Sequence, residues 1–580
     1  MKVNRLSFSI KCEIKDFNKN SKTVVAERVE GGIHYLDFSL KLQNEIPEKV
    51  ILSFKIPATN CMGVWSSFDR VHIIRPDWGF TEVNSRLASG MPIQQLFGFD
   101  GNNKACVSVS DADIPIKLRM GYCEESAEVI CEVEFFALQT NKKSEYNATV
   151  RVDLRDIKYY ESIYNTCFWW ETECGYSSAF VPESARLPMD SLWYSFHQDL
   201  SYEKIIEECK LSKGIGLETV IIDDGWQTDD NNRGYAFCGD WEACENKVKN
   251  FKNLVDELHK IGMKVILWYS VPFMGINCKK YEEFKTMLLD ETGDKKTFFS
   301  LDPRYKKVRD YLSEIYERAV KEWGLDGLKL DFIDSFVLKG ESLKADERRD
   351  FESLEEAIHT LLSETKDKLV AVNSNILIEF RQSYVGPAIR KYGNMLRVGD
   401  CPGDVLTNRS QSINLRFTSN KTAVHSDMLM WNKTDTVENA AEQFINSIYT
   451  VPQISMLLSE LPNEHIKMLK FYLDFWKANR AVLLDGKLTA ENPECEYSIA
   501  RSTYNDKEII TPFTNLLVEL SEPDSIVINA TTKDKLVLKG AENRKIKIVD
   551  CCGKMLSEFV LQSDLEEIKI PRAGIAFLTL

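Results

Sequence analysis

Along residues 1 to about 185, apolar and polar positions alternate in short runs. Leu36, Phe38, Leu40 and Leu42 form one such run, and Val50, Leu52, Phe54 and Ile56 form a second. The same spacing returns at Val129, Cys131, Val133 and Phe135, then at Val150, Val152 and Leu154. A period of two is that of a strand with one buried face. Turn residues between the runs predict an antiparallel β-sandwich over 1–185. Trp65, Trp78, Trp169 and Trp170 lie in this part, and core is the simpler reading for all four.

From about 186 to 485 the pattern becomes strand, helix, strand, helix. Eight runs are candidate strands: Leu192–Phe196, Thr219–Asp223, Lys264–Tyr269, Gly327–Phe332, Leu369–Asn373, Met395–Val398, Thr422–His425 and Ile454–Leu458. Between them, Lys247–Ile261 and Arg304–Trp323 carry apolar residues at helical spacing, with Gly262 and Gly324 as stops. Eight such units in about 300 residues predict a closed (β/α)₈ TIM barrel over 186–485. A doubly wound sheet is the alternative, but no glycine-rich phosphate loop follows a strand. Short strands with turn residues return over 486–580, predicting a small C-terminal antiparallel β domain, read as a sandwich.

Composition narrows the function. The chain has 580 residues, 44% hydrophobic and 28% charged, which is globular, and length alone suggests several domains. A net charge of −15 argues against nucleic acid or an anionic membrane as partner and is compatible with a neutral ligand. The first residues, MKVNRLSFSIKCEIKDF, lack the apolar stretch of a secretory signal, and no run reaches membrane-span length. The 15 cysteines are scattered without paired CxxC spacing, and the adjacent Cys551 and Cys552 make a poor disulfide. Reduced thiols in a cytoplasmic protein are expected, with no zinc site and no cofactor.

The chemistry gathers where barrel strands end, since active sites form there. Strand four carries Lys329 and Asp331 two residues apart, so both face one interior, a costly arrangement without a task. Strand two ends in Ile221-Ile-Asp-Asp-Gly-Trp226, strand six in Arg397-Val-Gly-Asp400, and strand seven leads to His425-Ser-Asp427. Two carboxylates on different strands beside aromatic residues are the constellation for glycoside hydrolysis. A retaining enzyme holds them about 5–5.5 Å apart. Asp331 is then the nucleophile, kept ionised by Lys329. Asp400 is the acid/base, for which its pKa must be raised by burial or by the Asp331 charge.

These motifs resemble the melibiase-type α-galactosidases of glycoside hydrolase family 36, and more distantly the sister family 27. The resemblance rests on IIDDGW at 221–226, GDW at 239–241, KLD at 329–331 and RVGD at 397–400, in the family's order. It implies a retaining mechanism with Asp331 as nucleophile and Asp400 as acid/base. Asp223 and Asp224 would bind the 4- and 6-hydroxyls of a galactose-like sugar, and Trp241 and Lys329 would be further contacts. Trp226, Arg397 and Trp193 are candidate walls of the same pocket. The chain departs from the family at Tyr269-Ser-Val-Pro-Phe-Met274, where a Glu-Pro-Glu-like segment is usual. It departs again near Lys295-Lys296, where the family has Arg. The segment Asn373–Arg381 is read as the loop after strand five, in place of a Cys- and Gly-rich one that touches the sugar 2-position. The catalytic pair stands, while the 2-substituent and aglycone stay open.

Plainer roles compete. Asp404 and Asp334 are read as caps or support, and His425 with Asp427 as a structural hydrogen-bonding pair rather than metal ligands. The expected function is hydrolysis of terminal α-galactose-like residues. An α-N-acetylgalactosaminidase or a transglycosylase on the same scaffold is the nearer alternative. A carbohydrate-binding barrel without catalysis is the alternative of another class, and self-association of the chain is left open.

Overall fold

A computed structural model describes residues 10–68, 70, 72–138, 140–290 and 296–580. The chain forms two compact units. The first comprises residues up to 177 together with 352–356 and 383–391; the second comprises 178–351, 357–382 and 392–580.

In the first unit, a five-stranded and a six-stranded antiparallel sheet bury the alternating residues of the sequence pattern. Leu36, Phe38, Leu40, Leu52, Phe54, Val129, Val133, Val150 and Val152 meet in one apolar core. Trp65, Trp169 and Trp170 are buried, as read; Trp78 is not, being 80% exposed.

The second unit holds eight parallel strands: β1 (Met189–Ser191), β2 (Thr219–Ile222), β3 (Lys264–Ser270), β4 (Gly327–Asp331), β5 (Leu377–Arg381), β6 (Met395–Arg397), β7 (Ala423–His425) and β8 (Gln453–Ile454). They are hydrogen-bonded in chain order from β1 to β7, with β8 beside β1. The ring is brought near to closure by a parallel bridge between His425 and Val451. The helix before β4, α1 (Lys306–Trp323), buries Val308, Leu312, Ile315, Tyr316, Ala319 and Val320. Gly324 at φ +76° ends it in the left-handed conformation that glycine adopts without cost. The C-terminal segment adds a seven-stranded and a three-stranded sheet over a core that includes Val527, Leu538, Ile546 and Leu578.

Three of the expected strands differ. Leu192–Phe196 is a turn of helix, and the strand is the three residues before it. Leu369–Asn373 is the end of the helix Leu354–Val372, and β5 begins five residues later, at Leu377. Ile454–Leu458 shortens to Gln453–Ile454, with a 3-10 turn at Leu458–Glu460. The segment 373–381, taken as the loop after strand five, therefore contains strand five.

Candidate active site

The barrel interior is built in two layers by the two-residue period of its strands. Met189, Ile221, Ile266, Leu377, Met395 and Ala423 form an apolar layer, joined by Ala185. Two residues further along the same strands the layer is polar: Ser191, Asp223, Trp268, Glu379, Arg397 and His425, with Lys329 on β4. All seven are buried. Such a layer is tolerable only if its charges are paired and its hydrogen bonds made.

Asp331 ends β4 and is buried. Three donors fix its carboxylate. The Phe332 backbone N–H and Arg381 Nε donate to Oδ1 at 2.8 and 2.7 Å, and Trp268 Nε1 donates to Oδ2 at 3.0 Å. Phe332 sits at φ +63°, a strained conformation for a bulky residue. It packs against Tyr235 and Phe273, and the Arg381 guanidinium lies 5.0 Å above its ring. Lys329, two residues before Asp331, donates to Asp223 Oδ2 at 2.7 Å. Burial works against the Lys329 charge, but Asp223, Asp331 and Glu379 outweigh it, so the ammonium holds its proton more firmly than usual.

Gly225 explains the turn after β2. It lies at φ +113°, and a Cβ there would be 2.6 Å from the Gln198 Cα. That close approach brings Gln198 Nε2 to Asp224 Oδ2 at 2.7 Å, while Gln227 Nε2 reaches Oδ1 at 2.7 Å. Among the described residues Asp224 thus has two neutral side-chain donors and no ion-paired cation. Burial, with the neighbouring Asp223 charge, pushes its pKa up to about 6.

Arg397, at the end of β6, is the hub of the far side. Its Nη2 donates to Asp400 Oδ1 at 2.8 Å and its Nη1 to Asp427 Oδ1 at 2.5 Å; Nε lies 3.6 Å from Glu379 Oε1. Asp400 itself is half exposed, its side chain at 51%. Burial pushes its pKa up, yet Arg397, Lys329 and Arg381 together pull it below the ordinary carboxylate value. The raised value expected for an acid/base is therefore not found in the free protein. The reason is the three cations that frame this carboxyl.

Other expectations resolve in both directions. Trp226 is 0% exposed and Trp241 1%, their rings 6.0 Å apart in a cluster with Tyr269. The Trp226 Nε1 donates to the Trp268 carbonyl. Both rings are buried in this structure, because IIDDGW and GDW fold them into one stack. Arg397 is likewise turned to carboxylates inside the protein and has no open face. Trp193 is half-buried, with Arg233 5.3 Å over its ring. Asp404 caps the helix Val405–Thr418 by accepting from the Leu406 and Thr407 N–H groups, and Asp334 lies in a 3-10 turn. His425 Nε2 meets the Ala185 carbonyl at 2.8 Å and its Nδ1 meets Gln453 Nε2, so it is a structural imidazole. Burial lowers its pKa to about 4. Lys295 lies outside the described residues. Glu379, Arg381, Trp268 and Gln198 were not singled out beforehand. Alternation along the true strand five, Leu377, Glu379, Arg381, carries the signal for two of them.

The melibiase family profile matches residues 184–401. Alpha-galactosidase Mel36A of Lactobacillus acidophilus is 30% identical over 148 residues, covering 24% of this chain and 19% of that protein. The A type blood alpha-D-galactosamine galactosaminidase of Flavonifractor plautii is 23% identical over 172 residues, or 26% of this chain and 15% of its own length. The matched segments thus span less than a fifth of each relative. Among solved structures, a variant of the α-galactosidase AgaA from Geobacillus stearothermophilus, in complex with raffinose, is similar in fold. Its TM-score is 0.62 at 14% identity, over 98% of this chain and 86% of that one. The segment 184–401, which carries all four motifs quoted above, is thus similar to the melibiase family.

Proposed function

We propose that this protein is a retaining α-glycosidase that removes terminal α-galactose-like residues from oligosaccharides or glycoconjugates. The observation that supports it best is the setting of Asp331. A buried carboxylate at the end of β4 is fixed by three donors, and Lys329 and Arg381 place Asp400 in the same field of positive charge.

In the reaction, Asp331 attacks the anomeric carbon as the glycosidic bond breaks, and Asp400 gives its proton to the leaving oxygen. Water then attacks the covalent glycosyl ester, losing a proton to Asp400, and Asp331 leaves as carboxylate. Asp400 is anionic in the free protein. A sugar seated over its half-exposed carboxyl removes water from it and raises its affinity for a proton. Asp223 and Asp224 are buried acceptors for sugar hydroxyls on the other side of the pocket. Raffinose-type oligosaccharides, seen in the AgaA complex, are the first substrates to offer.

The identity of the 2-substituent is the finer part of the proposal. Arg381, at the end of β5, donates to Asp331 Oδ1, and a guanidinium beside the nucleophile favours a small acceptor at C2, such as a hydroxyl. The Flavonifractor relative, a galactosaminidase by name, makes 2-amino and 2-acetamido galactosides the substrates to compare. A cytoplasmic setting is supported by the 15 cysteines, all unpaired.

Aryl α-galactosides, α-galactosaminides and α-N-acetylgalactosaminides, offered to the wild type and to Asp331→Asn and Asp400→Asn, provide the test. Release of the aryl group from the galactoside is expected, with a loss of at least about 10³-fold in Asp331→Asn. Turnover that survives in Asp331→Asn would sink the assignment.

A further inference from the structure

Asp427 has no role in the reaction just described, yet it is wholly buried beside its acid/base. Its Oδ1 accepts from Arg397 Nη1, and its Oδ2 accepts from the Cys401 backbone N–H at 2.6 Å and from the Tyr194 hydroxyl at 3.1 Å. Arg397 thus bonds two carboxylates with its two terminal nitrogens, and Asp427 also holds the peptide that follows Asp400. The expectation of a structural pair with His425 does not describe this geometry, since His425 bonds to Ala185 and Gln453 instead.

We infer that Asp427 is a positioning residue for Asp400: it divides the Arg397 charge with Asp400 and holds the Cys401 peptide, so that Arg397 binds the Asp400 anion less tightly than it would alone. The inference rests on the reading of Asp400 as acid/base. Its physical basis is that a guanidinium bonded to one carboxylate alone favours the ionised form more strongly than one divided between two.

The charged and titratable groups around the pair come from every neighbouring strand. Lys329 on β4, Arg381 and Glu379 on β5, and Arg397 on β6 face it from below, with Asp223 beyond Lys329. Tyr194 lies above, and His425, Cys401 and Asp404 lie beside it. Lys329 and Arg381 pull Asp400 in the same direction as Arg397, and burial of Asp400 works against all three. Burial pushes both Asp427 and Glu379 towards their neutral forms, but Asp427 bonds Arg397 directly while Glu379 Oε1 lies 3.6 Å from its Nε, so Glu379 is the weaker sharer of that charge. Tyr194, by donating to Asp427, steadies that anion.

Aspartate labelled with ¹³C at the carboxyl, assigned with Asp400→Asn, lets NMR follow the titration of Asp400 without any turnover. In Asp427→Asn the Asp400 midpoint should fall by about one pH unit, in line with the effect of an uncompensated neighbouring cation. Asp427→Glu should restore it. Should Asp427→Asn not fold, Tyr194→Phe, a change at a half-buried residue, should move the midpoint the same way by less. A midpoint that stays or rises in both variants overturns the inference. The kinetic counterpart is the alkaline limb of kcat/KM on an aryl α-galactoside, which should move to lower pH in Asp427→Asn, so that activity lost at neutral pH returns on acidification. A loss that is equal at every pH marks a merely structural role and also overturns it. If the titration moves while the wild type cleaves no glycoside, the charge sharing stands and the proposed hydrolysis fails.

Discussion

The barrel carries two sets of buried carboxyl groups, and the same element positions both. On its inner side, Asp223, Asp331, Asp427 and Glu379 are interleaved with Lys329, Arg381 and Arg397. On its outer side, Asp190 of β1 faces Glu208 and Ser212 of the helix Tyr202–Ile215. Among the described residues no cation is bonded to Asp190 or Glu208. Ser212 Oγ donates to Asp190 Oδ2 at 2.5 Å and the Leu458 N–H donates to Glu208 Oε1 at 2.7 Å. Burial, with Glu208 adding its charge, pushes Asp190 up to about 8, and burial pushes Glu208 up to about 7. On the inner side bonded cations oppose the pull of burial on the carboxyls, whereas on the outer side only neutral donors do.

Removing a cation from the inner set should break the comparison most sharply. Lys329→Met leaves Asp223 buried beside Asp224 with its cation gone. Loss of one partner of a buried pair costs about 3–5 kcal/mol, read as a lower urea midpoint, and hydrolysis should fall with it. Adding Asp223→Asn should return more than half of the stability, because the uncompensated charge is then gone, but not the activity. A single variant as stable as the wild type would mean that Asp223 is not charged in the folded protein.

The outer set predicts the opposite dependence on pH. Asp190 and Glu208 have folded-state pKa values above their unfolded ones, so the folded protein binds more protons between about pH 4 and pH 8. Stability from these groups is complete below about pH 4 and is lost as pH rises through that window. Each pH unit over which the two states differ by one proton changes stability by about 1.4 kcal/mol. Asp190→Asn should therefore flatten the fall in urea stability between pH 5 and pH 8. An unchanged slope would show that Asp190 is ionised when folded.

How far the sequence alone reaches is itself set by this layering. The barrel, the sandwich before it and the β segment after it follow from spacing, because the period of the apolar residues changes where the architecture changes. Two barrel strands slipped for a local reason. Leu369-Val-Ala-Val is β-branched and apolar, yet Val370 and Val372 are exposed while Thr365 and Leu369 are buried four apart, so a helix wins by its packing. Leu192-Trp-Tyr-Ser-Phe is apolar or aromatic except at Ser195, and its helical turn is closed by the His197 N–H on the Trp193 carbonyl. As members of one strand-end cluster, Asp331, Asp400, Asp223 and Lys329 were legible, because a charge at a strand end has few cheap explanations. Trp226 and Trp241 were not, since a tryptophan in a core and one beneath a sugar look alike in sequence. The proton affinity of Asp400 was unreadable too, because it depends on Arg381, from a strand then out of place.

Asp224 belongs to the inner set by position and to the outer set by chemistry, which makes it the finest test of the comparison. It accepts from two glutamines and its pKa is pushed up to about 6, so it loses its charge below that pH, whereas Asp223 accepts from the Lys329 ammonium. If Asp224 accepts a sugar hydroxyl, binding weakens as it is protonated. KM for an aryl α-galactoside should then climb below about pH 6, with kcat changing less. Gln198→Leu removes a donor that favours the anion, so the inflection should move upward by a fraction of a pH unit, a smaller effect than those above. A KM inflection that ignores Gln198 would assign it to a group other than Asp224.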